Sequence, residues 1–357
     1  LSGPKTAVIG VDPITVLLSA AAIRAVQAVR EGQARAEALQ ATHVQADHTR
    51  RTALAAALGQ GVKALQDQSA QLTARLEQLA ALAHSIGFEG EVKFAPLAPG
   101  AAGDASALAG YLRGLSQYCD EVQTILLTRA ARMPDDTDLV ISVAAGQGPQ
   151  ASVTPSQRLL RRIVHLGEPP EAIATVARSL DALPPGSRAE LLTTELRRLI
   201  QLHLEETERR MTEEATTTIM RQSLEDLGYE VEPIRDTLFV EGGVAHFRRR
   251  DWGDYMVRMR VDEQAHTTNF NVIRAASPEA NVSSREDTLA EDRWCSEFPK
   301  LLETLKRRGA TVRVTRNLGP GELPVQVVEP ALLPRFIEPE QSQSAAPTHL
   351  PQARVIK

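Results

Sequence analysis

Thiols are almost missing from this chain, which has two cysteines, Cys119 and Cys295, in 357 residues. They stand far apart with no Cys-x-x-Cys or histidine companion, which excludes a disulfide framework and a zinc knuckle. Both fall in apolar-periodic stretches and are expected to be buried free thiols in a reducing cytoplasm. Aromatic residues make up only 4%. That suits long helices rich in Ala and Leu better than thick ring-stacked cores. Lysine occurs only at positions 5, 63, 93, 300, 306 and 357, so arginine supplies most of the positive charge. A GC-rich bacterial genome accounts for that bias without any recognition argument. The net charge of −5 offers no global attraction to nucleic acid.

Catalytic motifs are missing as well. No nucleophile elbow, His-Glu-x-x-His or Cys-x-x-Cys appears. Gly146-Gln147-Gly148 lacks the rest of a phosphate-binding loop and the following lysine. His43 and His48 are five residues apart and do not share a helix face, so no metal site is expected, and no cofactor. A long unbroken apolar run is also lacking. Ala7 to Ile23 is apolar, but Asp12-Pro13 interrupts it and Arg24 closes it. The clean run from Pro13 falls short of the roughly 20 residues that span a bilayer, and an Asp-Pro inside it argues against a signal peptide. Asp12 as N-cap with Pro13 at the first helical position is the better account.

What the chain does have is helical periodicity. Ser187 to Leu227 contains no Pro and no Gly. A Ser187/Glu190 capping box is expected to open this helix and Gly228 to stop it. At 1.5 Å per residue the rod would be about 60 Å long. Apolar stripes mark its two ends (Leu192, Leu196, Leu199 and His203; then Met220, Leu224 and Leu227), while Glu205 to Glu214 is nearly all charged. The expectation is a rod packed at both ends with its centre in water; a break near Thr212 is the competing form. Upstream, Pro13 to Ser85 reads as helix, with Gly32, Gly59 and Gly61 as weak points. Val62, Leu65, Ser69, Leu72, Leu76, Leu79, Ala83 and Ile86 fill successive a and d positions, the seam of a left-handed coiled coil. A second heptad helix runs from Asp104 to Arg132 through Leu108, Leu115 and Val122. The linker between them could close an antiparallel hairpin; a parallel homodimer through the same seams competes with it. Pro155 to Leu166 and Pro170 to Leu183 read as short helices bundled on the first half of the long helix.

After Gly228 the texture changes. Short runs rich in Val, Ile, Phe and Tyr (229–233, 237–241, 244–249, 255–261 and 269–274) are separated by tight turns, which forces antiparallel neighbours. A helix from Ser284 carries Leu289, Trp294, Phe298, Leu301 and Leu305, with Pro299 expected to kink or split it. Two more strands follow, at 310–316 and 323–328. The fold class is therefore mainly α with an α+β C-terminal domain: N-terminal coiled-coil helices, a small helical bundle, a long connecting helix, then an antiparallel sheet with helices on one face. The corresponding divisions are a helical coiled-coil region (1–135), a linker with short helices (136–186), the connecting helix (187–227), the α+β domain (228–330) and a disordered tail (331–357).

One cluster suggests chemistry, His246 to Arg260 (HFRRRDWGDYMVRMR). Arg258 and Arg260 share a strand face with Met256, and Arg248, Arg249 and Arg250 lie on the preceding strand. With Trp252 nearby, such a face could hold phosphates or stack a base. The bland account is a solvated face whose arginines pair with Asp251, Asp254, Asp262 and Glu263, and it is preferred, because phosphate readers show uncompensated charge. His246 or His266 with Asp251 or Asp254 could form an acid–base set, but nothing in the spacing demands it.

The expected function is thus a non-enzymatic, cytoplasmic coiled-coil adaptor or scaffold in a bacterial multi-protein assembly. The seam residues Val62, Leu65, Leu72, Leu76, Leu79 and Ile86 would bind a protein partner or a second copy, and the α+β domain would dock another protein; no membrane partner is expected. The alternatives are a nucleic-acid-binding accessory factor using the Arg hairpin and an enzyme of unrecognised class.

Overall fold

The computed structural model describes residues 5–43, 48–88, 90–95, 105–133, 154–232, 243–262, 267–276 and 285–333. In chain order they form β1 (Lys5–Val11), α1 (Pro13–His43), α2 (His48–Ser85), α3 (Ala105–Ala131), α4 (Pro155–Leu160), a 3-10 turn (Arg161–Leu166), α5 (Glu171–Asp181) and α6 (Ser187–Asp226). There follow β2 (Glu230–Val231), β3 (Val244–Arg248), β4 (Tyr255–Asp262), β5 (Thr267–Ala275), α7 (Arg285–Arg307), β6 (Ala310–Arg316) and β7 (Gln326–Val328). The molecule is mostly helical, with an antiparallel sheet and its helix formed largely by the C-terminal part, as the patterning implies.

The helical body is built around α3. Asp12 caps α1 as expected: its Oδ2 accepts from the Thr15 backbone N–H at 3.0 Å. α1 then crosses α3 at very short range, and glycines make this possible. Gly32 and Gly110 face each other. A Cβ at Gly114 would stand 2.4 Å from Val29 Cγ2 and 2.7 Å from the Ala25 carbonyl oxygen. Gly32 is therefore part of a packing surface and not a weak point. Arg24 pairs with Glu121 on α3 at 2.6 Å, so α1 and α3 run in opposite directions.

α2 packs on α3 through the heptad residues. Leu72, Leu79, Ala83 and Ile86 are buried, and Leu65 and Leu76 are half-buried against the same core. The side chain of Val62 lies outside the described residues. The direction of this pair differs from the expected hairpin. The Cys119 thiol donates to the Leu72 carbonyl at 3.9 Å. Arg75 reaches Asp120 at 2.8 Å and Gln123 at 2.5 Å. Leu65 and Gln68 lie beside Leu112 and Ser116. The partner number rises with the residue number, so α2 and α3 are parallel. The chain after α2 makes the return: Val92 is buried and the Phe94 ring packs on Tyr111 and Tyr118 of α3 at 5.5 and 5.3 Å. The described residues between Phe88 and Phe94 form this strap and no strand.

α6 is one continuous helix of 40 residues. Its start differs from the expected capping box: Gly186 is the N-cap, without a side-chain bond, and Ser187 is already helical. Its end is as expected. Gly228 has φ +84°, its N–H donates to the Glu225 carbonyl at 2.9 Å, and the Tyr229 N–H donates to the Leu224 carbonyl at 3.0 Å, a Schellman closure. The middle is in water on one face only. Leu204, Thr207, Glu208 and Ala215 are buried, because Thr and Ala continue the stripe between its two leucine-rich ends. Glu208 faces α3, where Arg132 and Arg129 neutralise it. On α1's side, Gln27 donates to Gln222 at 2.9 Å. α4 and α5 pack on the first half of α6, as the sequence suggests.

The sheet has strand order β2-β3-β4-β5-β1-β6, antiparallel throughout, with β7 added in parallel to one end of β5. The strand missed from sequence is β1. Lys5–Val11 sits between β5 and β6, pairing Ala7 with Thr268 on one side and with Val314 on the other. It was hidden because its apolar residues and those of α1 read as one run, interrupted only by Asp12-Pro13. α7 covers one face, and Trp294 and Phe298 meet Phe247 and Phe270 with ring centroids 5.4–5.9 Å apart. Pro299 does not split α7, which runs unbroken through it. Leu289 is half-exposed at 51%, one step off the buried row Ala290, Trp294, Phe298, Leu301 and Leu305.

Pro13–Arg35 is long and apolar enough to cross a membrane by length and composition, with a mean hydropathy of 1.3. Arg24 does not close the span, contrary to the expectation from sequence. In the fold its Val16, Leu17, Ala20, Ala21 and Ala25 are buried in the core shared with α3 and α6.

Candidate functional site: the outer face of the sheet

Strand register decides what the Arg-rich hairpin can do. His246 pairs with Arg258 and Val244 with Arg260, so Arg248 shares the outer face with Arg258 and Arg260, while Arg249 points to the α7 side. The first three arginines are neutralised. Arg248 Nε donates to Glu230 at 3.2 Å, and Arg250 binds the other oxygen of the same carboxylate. Hydrogen bonds from Arg250 hold the Glu230 carboxyl below the usual carboxylate range. Arg249 donates to Glu297 on α7 at 2.7 Å and to Asp251 at 3.1 Å. Glu297 also accepts from the Tyr229 hydroxyl, whose pKa is pushed up first by burial and then by this bond. Of the expected acidic partners among the described residues, only Asp251 takes this role; Glu230 and Glu297 come from distant sequence. Asp262 and Glu263 have side chains outside the described residues.

Trp252 cannot stack a base. It is 5% exposed, with its ring edge-on to Tyr229 at 5.7 Å in the core under α7. The acid–base set is not assembled either. His246 Nδ1 lies 3.2 Å from Glu232 Oε1, Asp251 is held by Arg249, and no contact among the described residues joins them to Asp254. His266 lies outside the described residues.

Arg258 and Arg260 behave differently from the other three. Arg258 is half-buried and donates to Gln326 Oε1 at 2.6 Å. Its pKa is lowered by burial and by Arg260 beside it. Neither residue forms an ion pair among the described residues. The register extends their row across the sheet: Arg260 pairs with Asn269, Asn269 with Thr6, and Thr6 with Arg316. Arg313, paired with Val8, lies on the same face. Arg313 and Arg316 are exposed, again without an ion pair among the described residues. Thr6 donates to Asn269 Oδ1 at 2.6 Å, leaving the Asn269 amide N–H groups directed elsewhere. Sequence reasoning missed Arg313 and Arg316, because only the insertion of β1 brings β6 beside β5.

The seam residues lie in the other half of the molecule, against α3. No family model, curated protein or solved structure matches this chain.

Proposed function

We propose that this protein is a non-enzymatic, cytoplasmic adaptor that engages a macromolecular partner through the outer face of its sheet. The observation that carries the reading is the mounting of that face. β1 lies inside the sheet and continues through Asp12 into α1, while α6 runs from the helical body to β2, so two elements hold the sheet on the body. A rigidly mounted surface is what a docking module requires, since little ordering cost is then paid on binding. The heptad seam, by contrast, closes the protein's own body, and its role in the adaptor is to stiffen α3. The carboxylates near the hairpin support a non-catalytic role: Glu230, Glu297 and Asp287 are each engaged by an arginine, which favours structural ion pairs over poised acids and bases.

A photocrosslinking amino acid placed in turn at Arg313 and at Leu79 tests this in cells. Intermolecular adducts are expected from position 313 and none from position 79. Adducts from position 79 alone would return the partner site to the seam and overturn the proposal.

A further inference from the structure

We infer that the outer sheet face, at Arg258, Arg260, Arg313 and Arg316, binds the phosphate backbone of a nucleic acid without reading its sequence. The inference rests on the docking role proposed above and names the chemistry of the partner. Four guanidinium groups stand there on two strands, β4 and β6, although the chain as a whole is acidic, with a net charge of −5. Many arginines elsewhere are neutralised: Arg24, Arg75, Arg129, Arg132, Arg178, Arg198, Arg209, Arg248, Arg249, Arg250, Arg274 and Arg308 have carboxylate partners. Among the described residues these four have none. Like charges placed side by side repel, and the cost is recovered only when an anion bridges them.

The spacing suits a chain of phosphates better than a single one. Arg260 and Arg316 are separated by three inter-strand steps, about 14 Å at 4.8 Å per step. Arg258 and Arg260 repeat along the strand at about 6.6 Å, two residues apart. Arginine's planar fork matches a phosphate's oxygens two at a time. Asn269, Asn271 and Thr6 lie between the arginines on the same face and supply neutral donors. No Phe, Tyr or Trp is among the described residues of this face, the His246 imidazole is engaged by Glu232 at 3.2 Å, and Trp252 is buried behind the sheet. The contact is therefore with backbone, not bases, and single-stranded and duplex forms should both bind.

The test uses the full chain with a fluorescein-labelled duplex, the same strand unpaired, and a polyglutamate peptide of equal charge. Anisotropy is followed between about 50 and 200 mM salt, over which four phosphate contacts predict a roughly 50- to 150-fold loss of affinity. The double variant Arg260→Glu with Arg313→Glu should lose at least about tenfold at low salt. Arg209→Glu, at an exposed position on α6, carries a charge reversal elsewhere and should bind as the wild type does. Absence of binding at low salt, equal loss in Arg209→Glu, or preference for polyglutamate each overturns the inference. Polyglutamate preference would assign the face to an acidic protein and leave the docking proposal standing, whereas crosslinks confined to Leu79 would remove both.

Discussion

His165 shows how one buried group sets a pH limit on the body. Thr128 Oγ1 donates to the Thr124 carbonyl at 2.7 Å, so its contact with His165 Nε2 at 3.0 Å must be an accepted bond. That fixes the neutral tautomer with the proton on Nε2. Nδ1 is buried with no partner among the described residues, and burial lowers the pKa from 6.5 to about 4. A group whose folded pKa is depressed below its unfolded value is neutral in the fold and must charge on unfolding. Its contribution is present above pH 6.5 and is lost as pH falls toward 4. Relative to His165→Gln, the wild type should lose up to about 3 kcal/mol across that window, at 1.36 kcal/mol per unit. Denaturant titrations at several pH values check this, and a pH-independent difference contradicts it. None of this was visible in sequence, where His165 closes a short helix near a Pro-Pro pair and Thr128 is 37 residues away. Glu208 was misread for a similar reason: a glutamate inside a charged run looks solvated until Arg132 and Arg129 arrive from another helix.

At the scale of elements, local signals were legible and long-range ones were not. Asp12-Pro13, the Leu72–Ile86 heptads, Gly228 and the alternation in Tyr255–Val261 each act within a few residues, and the structure places a cap, a buried stripe, a helix stop and a strand there. The direction of α2 against α3 was not legible, because a heptad stripe packs equally well in either sense. The Phe94 strap decides it, and its two ring contacts on Tyr111 and Tyr118 cannot be inferred from a linker's composition. The α1–α3 crossing makes a sharper prediction. Gly114→Ala should gain about 1 kcal/mol of helix propensity and lose about 2–3 kcal/mol by forcing Val29 and the Ala25 carbonyl away. Gly110→Ala meets nothing closer than 3.6 Å, so it should be neutral or stabilising by up to about 1 kcal/mol. Opposite signs in equilibrium unfolding support the crossing; equal effects contradict it.

For the whole molecule, the strand at residues 5–11 matters most. It joins the N-terminal part of the chain to strands more than 250 residues away, and it brings Arg313 and Arg316 beside Arg260. A division into a helical region up to residue 135 and a separate sheet domain does not describe how that strand is used. The account of function depends on the heptad seam being closed within one chain, which leaves the sheet face as the partner surface. Oxidation of a Leu72→Cys, Cys295→Ser variant tests this most directly, since Cys119 on α3 lies beside position 72. An internal disulfide in a species of one chain's mass is the expected product. A disulfide-linked dimer, with position 72 of one chain joined to Cys119 of another, would contradict the account.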